Sequence, residues 1–395
     1  MQNGAEDIFV FVACGSNKYI ETLNFSLSYL RYFKANKIYV VTDLERNEQQ
    51  IGNDNIIDVS TNKELDNHQA SIFLKTSLHK ILPAGNNYCY LDSDVIAVTD
   101  NVNEIFSHKQ GIISFTSDHC RLKRFSPSAV NCGCLSNNKQ QVEILEALLN
   151  KYDLNRNIKD EKRKELVKIL LGRFQKIKSN KPKYMLTALR YFLSINRFSI
   201  DKDFYYKKKE KTWFYKDGQP VMYDFSKISK NIETESDFKW SRWRRTWVDK
   251  KGKNIWKCEC SHLAQFINKK FGISIGKNNW QHWNGGVFLF DDQSHDFMES
   301  WHTKVLSIFK DQAWVTRDQG ALVATVWEFG LEKETTLPIA FNFIADYNHP
   351  TMIYKGDFTF DVSEDLKNIQ PYFIHIYHHW GDEDWNVWKD IISLL

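Results

Sequence analysis

The sequence predicts a doubly wound α/β domain that is interrupted by a basic, mainly helical insertion. Apolar, strand-like runs alternate with amphipathic helical patterns before residue 100 and again after residue 282, which is typical of a mostly parallel sheet covered by helices. Residues 151–257 differ, because they contain 30 Lys and Arg but 13 Asp and Glu. This segment has a formal charge of +17, against −13 for the rest of the chain.

The first part of the predicted α/β domain consists of alternating strands and helices. In chain order, we expect a strand at 8–13, a helix at 20–33, a strand at 37–43, a helix near 70–82 and a strand at 87–92. Ligands of such sheets bind beyond the carboxyl ends of the strands. Asp43, Asp92 and the turn after Ala13 lie at such ends, so we expect them to converge on one crevice.

The insertion is predicted from helical patterns and a hairpin signal. The helical patterns lie at 140–152, 161–174 and 183–195, and two aromatic strands within 204–225 flank the Asp217–Gly218 pair. The chain therefore divides into 1–138, 139–257 and 258–395, where the first and third segments are the two halves of the α/β domain.

Within the insertion, the run WSRWRRTW at 240–247 interleaves aromatic and cationic side chains. This pattern suits a phosphorylated glycan or lipid-linked acceptor, because aromatic faces bind sugar rings and arginines bind phosphates. Docking to a membrane surface and packing of the Trp residues onto the main domain stay open as alternatives.

An acidic pair interrupts the run NYCYLDSDVIAV at 87–98, which otherwise resembles a buried strand. Side chains alternate along an extended chain, so Asp92 and Asp94 would point to the same face. Two carboxylates at such short range repel each other unless a cation lies between them. The pair therefore predicts a site for a divalent metal.

Five motifs in order resemble a known family. YLDSDV resembles the D-x-D motif that ends a central strand in nucleotide-sugar-dependent glycosyltransferases of the GT-A fold. WNGGVFLF, TRDQGAL, LPIAFNF and the terminal HHWG resemble the remaining motifs of glycosyltransferase family eight, the glycogenin and lipopolysaccharide galactosyltransferase type. The resemblance covers residues 8 to about 135 and 280–388 and leaves the basic segment outside.

The resemblance implies a bound Mn²⁺ (or Mg²⁺) held by Asp92, Asp94 and one imidazole. Two hard oxygen ligands and one nitrogen suit manganese better than calcium. The family's H-x-x-G loop would assign the imidazole to His378. His375 and His379 stay open as alternatives, because the strand phase of PYFIHIYHHWG could turn any of the three inward.

The resemblance also implies which residues contact the donor and carry catalysis. The implied donor-binding residues are Tyr19, which would stack on the nucleobase, Ala13, Asp92, Gly285, Gly286 and Gly381. The implied catalytic residues are Asp318, Gln319 and Asn284. An acidic run follows Gly381 where the family usually has a phosphate-binding Lys, so diphosphate contacts would fall to the metal, to backbone amides and to an arginine.

Local alternatives stand beside several of these assignments. Asp318 could be a helix N-cap, the glycine pair could form a β-bulge, and Tyr19 could be a surface residue that caps a helix. Lys75 and Lys80 precede the D-x-D strand, where the family often has a basic residue for the donor; a solvated helix face is the alternative.

Taken together, these implications predict metal-dependent transfer of a hexose from a nucleoside-diphosphate sugar, with UDP as the expected nucleotide, to a glycan or glycolipid. Retention of anomeric configuration is implied by the resemblance. The basic insertion would contact a phosphorylated acceptor or a membrane surface, and nucleic acid is not an expected partner. The apolar run at 8–13 has no basic segment before it and is too short to span a bilayer, so we expect a cytoplasmic protein, free or peripheral at the inner face of the membrane.

Two other classes of protein compete with this interpretation. D-S-D-V matches the nucleophile loop of haloacid dehalogenase-type phosphatases, but that loop normally follows the first strand. The second alternative is a non-catalytic, zinc-stapled protein that binds nucleic acid. Its zinc would be held by two C-x-C pairs, NCGC at 131–134 and CECSH at 258–262, together with His119, Cys120 and His262. That alternative leaves the acidic pair unexplained.

Overall fold

The computed structural model describes residues 4–53, 55–153, 156, 160–347 and 352–395. It divides into two compact units. Unit 1 comprises Met1–Cys132 and Glu259–Leu395, and unit 2 comprises Gly133–Cys258. Unit 2 contains the whole of the segment 139–257 and begins somewhat earlier, at Gly133.

The first part of unit 1 alternates strands and helices, as predicted. The strands are β1 (Asp7–Val12), β2 (Ile38–Thr42), β3 (Ile56–Asp58), β4 (Asn87–Leu91), β5 (Val95–Ala97) and β6 (Ser114–Arg121). The helices are α1 (Asn17–Tyr32), α2 (Asn67–Thr76), α3 (Leu78–Ile81) and α4 (Leu122–Ala129). The single helix predicted near 70–82 is divided at Ser77, whose backbone (φ −97°, ψ 9°) departs from helical geometry.

Unit 2 combines helices with two small antiparallel sheets. Its helices are α5 (Cys134–Tyr152), α6 (Glu161–Lys178), α7 (Lys181–Leu193) and α8 (Phe225–Glu235). Its strands are β7 (Arg197–Ser199), β8 (Phe204–Lys207), β9 (Thr212–Tyr215), β10 (Pro220–Tyr223), β11 (Lys239–Ser241) and β12 (Thr246–Val248). The three helical patterns are confirmed, and β9 pairs with β10 around the predicted turn, where Gly218 has φ +85°.

The second part of unit 1 completes the α/β domain. Its helices are α9 (His262–Phe271), α10 (His295–Ile308), α11 (Arg317–Glu328) and α12 (Asn386–Ile392). Its strands are β13 (Gln281–Phe290), β14 (Phe343–Ile344), β15 (Ile353–Tyr354), β16 (Phe360–Asp361) and β17 (Phe373–His375). LPIAFNF forms a 3₁₀ turn at Ile339–Phe341 before the short β14, rather than a continuous strand.

A six-stranded sheet in the order β3-β2-β1-β4-β13-β6 is the centre of unit 1. Strands β1 to β4 are parallel, and β13 runs antiparallel to both of its neighbours. Strands β14, β17 and β5 form a second, smaller sheet. The predicted mixed α/β fold with a mostly parallel central sheet is therefore confirmed.

Alternation along the central strands divides the hydrophobic core of unit 1 into two layers. In β1, Val10 belongs to one buried cluster, whereas Phe9 and Phe11 belong to the other. Helices α2, α9, α10 and α11 cover the first face, and α1, α12 and the second sheet cover the other. Because both faces of the sheet are buried, the sequences of the central strands are continuous apolar runs.

In the part of the chain that the structure describes, no helix has the length and apolar character needed to cross a membrane.

Candidate active site

The two carboxylates stand on a turn rather than on a strand. β4 ends at Leu91, the Asp92 carbonyl accepts a hydrogen bond from the Val95 N–H (3.1 Å), and β5 begins at Val95. The prediction that alternation along one strand aligns Asp92 with Asp94 is therefore wrong, since the chain here turns from the central sheet into the second sheet. The turn nevertheless brings both carboxylates into one group of potential metal ligands.

His375 is the imidazole that joins this group. β17 pairs antiparallel with β5 so that His375 lies opposite Val95, directly beside Asp94. Its Nε2 is 3.2 Å from Oδ1 of Asp94. One ligand atom each from Asp92, Asp94 and His375 lie within 4.8 Å of one another.

His378 and His379, the other two candidate imidazoles, are placed differently. Both have exposed side chains, and both donate their backbone N–H groups to the carboxylate of Asp346. Of the three histidines at 375–379, all within the described residues, His375 alone belongs to the group with Asp92 and Asp94. This arrangement favours His375 as the metal ligand, in place of His378, to which the resemblance assigned that role.

A hydrogen-bond network fixes the tautomer of His375. Asn342 donates through Nδ2 to Oδ1 of Asn284 (2.9 Å), which also accepts from the Gly286 N–H (2.8 Å). The Asn342 Oδ1 therefore accepts from Nδ1–H of His375 (2.9 Å). Nε2 is buried, lies 3.2 Å from Oδ1 of Asp94 and makes no well-aligned hydrogen bond among the described residues. Burial alone would lower the His375 pKa, but the Asp94 carboxylate raises it. A histidine that donates Nδ1–H to an amide and turns Nε2 toward two carboxylates is arranged as a metal ligand.

Gly286 keeps the space between these ligands open. A Cβ atom built there would lie 2.5 Å from Cε1 of His375 and 3.0 Å from Oδ2 of Asp92. The Gly286 carbonyl accepts from the Asp92 N–H (2.8 Å), which fixes the start of the turn. Two carboxylates and one imidazole nitrogen within 4.8 Å of one another fit Mn²⁺ or Mg²⁺.

Lys75 ties the acidic turn to α11. It is buried on α2, with Nζ 3.0 Å from Oδ1 of Asp92 and 3.4 Å from Oδ2 of Asp318. Burial disfavours the charge of Lys75, but the two carboxylates outweigh it and raise the Lys75 pKa. The alternative that Lys75 lies on a solvated helix face is therefore wrong, whereas Lys80 is half-exposed and pairs with Glu299.

Tyr90 forms a hydrogen bond to the same oxygen of Asp92 as Lys75 does. Its hydroxyl donates to Oδ1 of Asp92 (2.5 Å), and both burial and the nearby Asp92 raise the pKa of Tyr90. Asp92 thus has one oxygen held by two donors, while Oδ2 faces Gly286 and His375. This division orients the carboxylate toward the proposed ion.

A cleft of about 200 Å³ opens beside these groups. Its polar and aromatic lining includes Tyr19, His68, Ser71, Lys75, Tyr90, Asp92, Ser93, Asp94 and Asp318, and Ala13 also lines it. The structure thus brings together five of the residues that the resemblance implied, which are Ala13, Tyr19, Asp92, Asp94 and Asp318. His68 and Ser71, on α2, carried no motif and were not anticipated.

Asp318 lies in the first turn of α11 rather than at its N-cap, which is Thr316. The N-cap alternative is therefore wrong, and the Asp318 carboxylate instead meets Lys75 at the edge of the cleft. Its negative charge is also favourable near the positive end of the helix dipole. Tyr19, in the first turn of α1, is 47% exposed and borders the same cleft.

Asn284 and Gln319 shape the site and are absent from the lining of the described cleft. Asn284 is fully buried, and its amide contacts Asp118, Tyr377, Asn342 and the Gly286 N–H. The Gln319 amide, in the orientation that satisfies both of its ends, accepts from the Gly285 N–H (2.8 Å) and donates to the Trp283 carbonyl (3.2 Å).

Both glycines of β13 lie in an irregular stretch. The register between β13 and β6 shifts between Asn284 and Phe288, so the predicted bulge is present. Gly381 lies elsewhere: it is an exposed turn residue with φ +76°, and the turn is closed by the Asp382 N–H to the His379 carbonyl (3.1 Å). Asp43, expected in the same crevice, is buried and bonded to Thr61 and Arg46.

A second buried polar cluster adjoins the network. Asp118 lies 2.8 Å from Nδ1 of His119 and 3.5 Å from Nε2 of His282. Burial alone would raise the Asp118 pKa, but the two imidazoles and the Asn284 amide hold it well below its usual range. No motif marked Asp118 in advance, because it lies in the ordinary strand sequence SFTSDHCR.

The fold and the site together define an α/β protein in which two carboxylates and one imidazole, the ligand types of a divalent metal, meet at the carboxyl edge of the central sheet. No family model and no curated protein matches the sequence. Among solved structures, the chain is similar to the apo structure of the bifunctional glycosyltransferase WbbM (11% identity, TM-score 0.44, 100% of this chain and 50% of that one). The present chain thus spans half the length of the WbbM chain.

Two further solved structures are similar over different shares of the chain. One is the galactosyltransferase LgtC with donor and acceptor sugar analogues (15% identity, TM-score 0.22, 34% of this chain and 51% of that one). The other is mouse xyloside xylosyltransferase 1 in its apo form (9% identity, TM-score 0.33, 85% and 86%). At these TM-scores the similarities do not determine function, so a functional assignment rests on the site itself.

Proposed function

We propose that this protein is a metal-dependent glycosyltransferase that moves a hexose from a nucleoside-diphosphate sugar, with UDP as the nucleotide, to a glycan or glycolipid. The observation that carries the proposal is the meeting of Asp92, Asp94 and the buried Nε2 of His375 within 4.8 Å of one another, beside the space that Gly286 leaves open. The resemblance of the five motifs to glycosyltransferase family eight supports it.

Asp92, Asp94 and His375 would hold the ion. Mn²⁺ or Mg²⁺ bound there would act as a Lewis acid that stabilises the negative charge of the departing diphosphate. The residues of the chain do the remaining work. Lys75 and Tyr90 fix one oxygen of Asp92, and Asn342 fixes the His375 tautomer, so the ligands are oriented before the donor binds.

The cleft residues provide contacts for the rest of the donor. Tyr19 offers an exposed ring on which a nucleobase can stack, and Ala13 lines the same cleft. Asp318, held by Lys75, can accept hydrogen bonds from sugar hydroxyls. Asn284 and Gln319 act as positioning residues through the β13 bulge. Retention of configuration follows from the family resemblance and is tested by the anomeric form of the product.

The substitution Asp94→Asn tests the metal role. It removes one ligand charge while preserving side-chain size, so we expect manganese-dependent turnover of a nucleotide sugar to fall by at least about 100-fold. Asp384→Asn, at an exposed position of the acidic run, is the matched control and should behave like the wild type. Equal manganese-dependent turnover in Asp94→Asn and the wild type would overturn the proposal. Turnover is measured as nucleoside diphosphate released from a panel of nucleotide sugars, with and without Mn²⁺.

Two rival functions predict different results with the same protein. A haloacid dehalogenase-type phosphatase would form an aspartyl-phosphate on Asp92, whose oxygens here face Lys75, Tyr90 and the proposed ion. A covalent adduct of Asp92 with a phosphate mimic would favour that class. Salt-sensitive binding of arbitrary oligonucleotides, without nucleotide-sugar binding, would favour a nucleic-acid-binding protein.

We propose further that unit 2 brings the enzyme to an anionic membrane that carries its acceptor. Helix α7 exposes a continuous set of apolar side chains: Tyr184, Met185, Leu186, Leu189, Phe192 and Leu193. Lys181, Lys183 and Arg190 are exposed on the same helix, and residues 151–257 carry a charge of +17. An amphipathic helix with apolar and basic faces is suited to the interface of an anionic bilayer.

Vesicle binding tests this contact. We expect cosedimentation with vesicles of anionic lipid, little with neutral lipid, and loss of binding in the double variant Leu186→Glu/Phe192→Glu. Ile144→Glu, at a comparably exposed position on α5 of the same unit, is the control and should keep binding. A double variant that binds vesicles as well as the wild type would overturn the membrane proposal. So would a wild-type dimer that the double variant dissociates, because a second copy of the chain would then cover α7.

A further inference from the structure

The sequence contains two C-x-C pairs that the proposed function leaves unused. In unit 1, Cys132 and Cys260 lie with the thiols 3.9 Å apart, Sγ to Sγ. Ligand atoms of Cys132, Cys260 and His262 are all within 4.8 Å of one another. Residues that are 128 positions apart in the sequence therefore meet at one point of the fold.

The spacing of the sulfurs matches a shared metal. With Zn–S bonds of about 2.3 Å in a tetrahedral site, two ligand sulfurs are about 3.8 Å apart. A disulfide would instead require about 2.05 Å. The observed 3.9 Å is thus the separation expected of two thiolates on one zinc ion.

The backbone around these side chains is held independently of any ion. Ser126 of α4 accepts from the Leu263 N–H (2.9 Å), and its hydroxyl is 3.1 Å from Sγ of Cys260. The Cys260 N–H donates to the Lys123 carbonyl (2.9 Å), and the Asn131 N–H donates to the Ala313 carbonyl (2.8 Å). The ligands are thus presented by a framework of hydrogen bonds between α4, α9 and the segment before Cys132.

We propose that Cys132, Cys260 and His262 bind a structural zinc ion. Two thiolates and one imidazole are ligands of the types that structural zinc sites use. The thiols release their protons when the ion binds.

The location gives the ion a definite role. Cys132 is the last residue of unit 1 before the chain leaves it, and Cys260 follows the point at which the chain returns. A zinc ion between them fastens these two points of unit 1 to each other. The ligand chemistry also separates this site from the cleft, because soft thiolates select zinc whereas carboxylates select manganese or magnesium.

Metal analysis of the purified full-length protein tests the proposal. After dialysis against a mild chelator that strips manganese, we expect one zinc ion per chain, and the same content in Asp94→Asn. Cys132→Ser and Cys260→Ser should retain less than about a tenth of it. Cys258→Ser is the matched control: it lies two residues from Cys260, its thiol donates to the Cys134 carbonyl, and it should keep its zinc.

Two further measurements on the wild type test the proposal even if the cysteine variants fail to fold. In the wild type, modification of thiols by a mercurial should release the zinc in step with the loss of the ligands. Replacement by Co²⁺ should produce the intense absorption bands of a tetrahedral thiolate site. Wild-type protein that contains no zinc and shows no such bands with Co²⁺ would overturn the proposal. The chain has seven free thiols. If only five titrate after denaturation in chelator, two cysteines form a disulfide, and the proposal is likewise overturned.

Discussion

At the scale of single residues, the site depends on which nitrogen of His375 carries the proton. The Asn342 amide is oriented by Asn284, and it in turn keeps the proton on Nδ1 of His375. Side chains of β13 and of the turn before β14 thus act together to orient the imidazole of β17. The same network reaches Asp118 through Asn284, so the buried polar groups next to the cleft form one connected system.

Exchange of the two candidate histidines tests this interpretation of the site. His375→Ala removes a ligand, so we expect Mn²⁺ affinity to fall at least about 10- to 100-fold, the range already typical for loss of an outer-shell partner. His378→Ala, an exposed position nearby in the sequence, should leave the affinity unchanged. The measurement is titration with Mn²⁺ followed by the free-ion electron paramagnetic resonance signal. The reverse ranking would return the ligand role to His378.

The two adjacent glycines of β13 provide a second test at this scale. In Gly286→Ala the new methyl would collide with Cε1 of His375 at 2.5 Å, so we expect loss of metal binding and a stability cost of about 1–3 kcal/mol from overpacking. In Gly285→Ala the nearest atom, at 3.2 Å, is the terminal amide atom of the Gln319 side chain that faces Gly285, and this side chain can shift. We therefore expect the second variant to keep metal binding. Calorimetric titration and chemical denaturation of both variants measure the two effects.

At the scale of secondary-structure elements, the packing of α2 on α10 buries a histidine. His302 contacts the Thr76 hydroxyl through Nδ1 (2.8 Å), and burial lowers its pKa from 6.5 to about 4. α2 also carries Lys75, so this packing supports the residue that holds Asp92 and Asp318.

The stability of the protein should fall on acidification between pH 6.5 and pH 4 for this reason. The unfolded chain takes up a proton on His302 near pH 6.5, but the folded protein does so only near pH 4. Between these values protonation favours the unfolded state, by about 2–3 kcal/mol in total. His302→Gln should flatten this part of the stability curve, while the exposed His295→Gln should not. Urea denaturation at a series of pH values measures the slopes; equal slopes in all three proteins would contradict the assignment.

At the scale of the whole molecule, each unit has hydrophobic clusters of its own. The two large clusters of unit 1 contain, among the described residues, none from 133–258. Unit 2 has separate clusters, one around Leu145 and Trp247 and one around Leu170 and Trp213. The cores are therefore independent, which is the usual condition for domains that fold by themselves.

Removal of the insertion should leave the donor site working. The Asn138 side chain donates to the Ile255 carbonyl (2.9 Å), so the two ends of the segment are close and a short glycine-serine linker can replace 139–257. We expect the shortened protein to fold and to bind Mn²⁺ and nucleotide sugar within a few-fold of the wild type, but not to bind anionic vesicles. Thermal denaturation, calorimetry and vesicle cosedimentation measure these properties. A shortened protein that folds but does not bind Mn²⁺ would show that the metal site requires unit 2.

The sequence by itself determined the alternation of strands and helices, the three helices and the hairpin of the insertion, and the acidic pair as a metal site candidate. These features are local: hydrophobic periodicity, a turn dipeptide and two charges two residues apart can be read without knowing what packs against them. Only the tertiary structure places His375, rather than His378 or His379, beside the acidic pair, because this depends on the register of β17 against β5, 280 residues away in the sequence. The burial of Lys75 and the meeting of Cys132 with Cys260 were decided in the same way, since a contact between distant segments is set by how the chain folds back on itself.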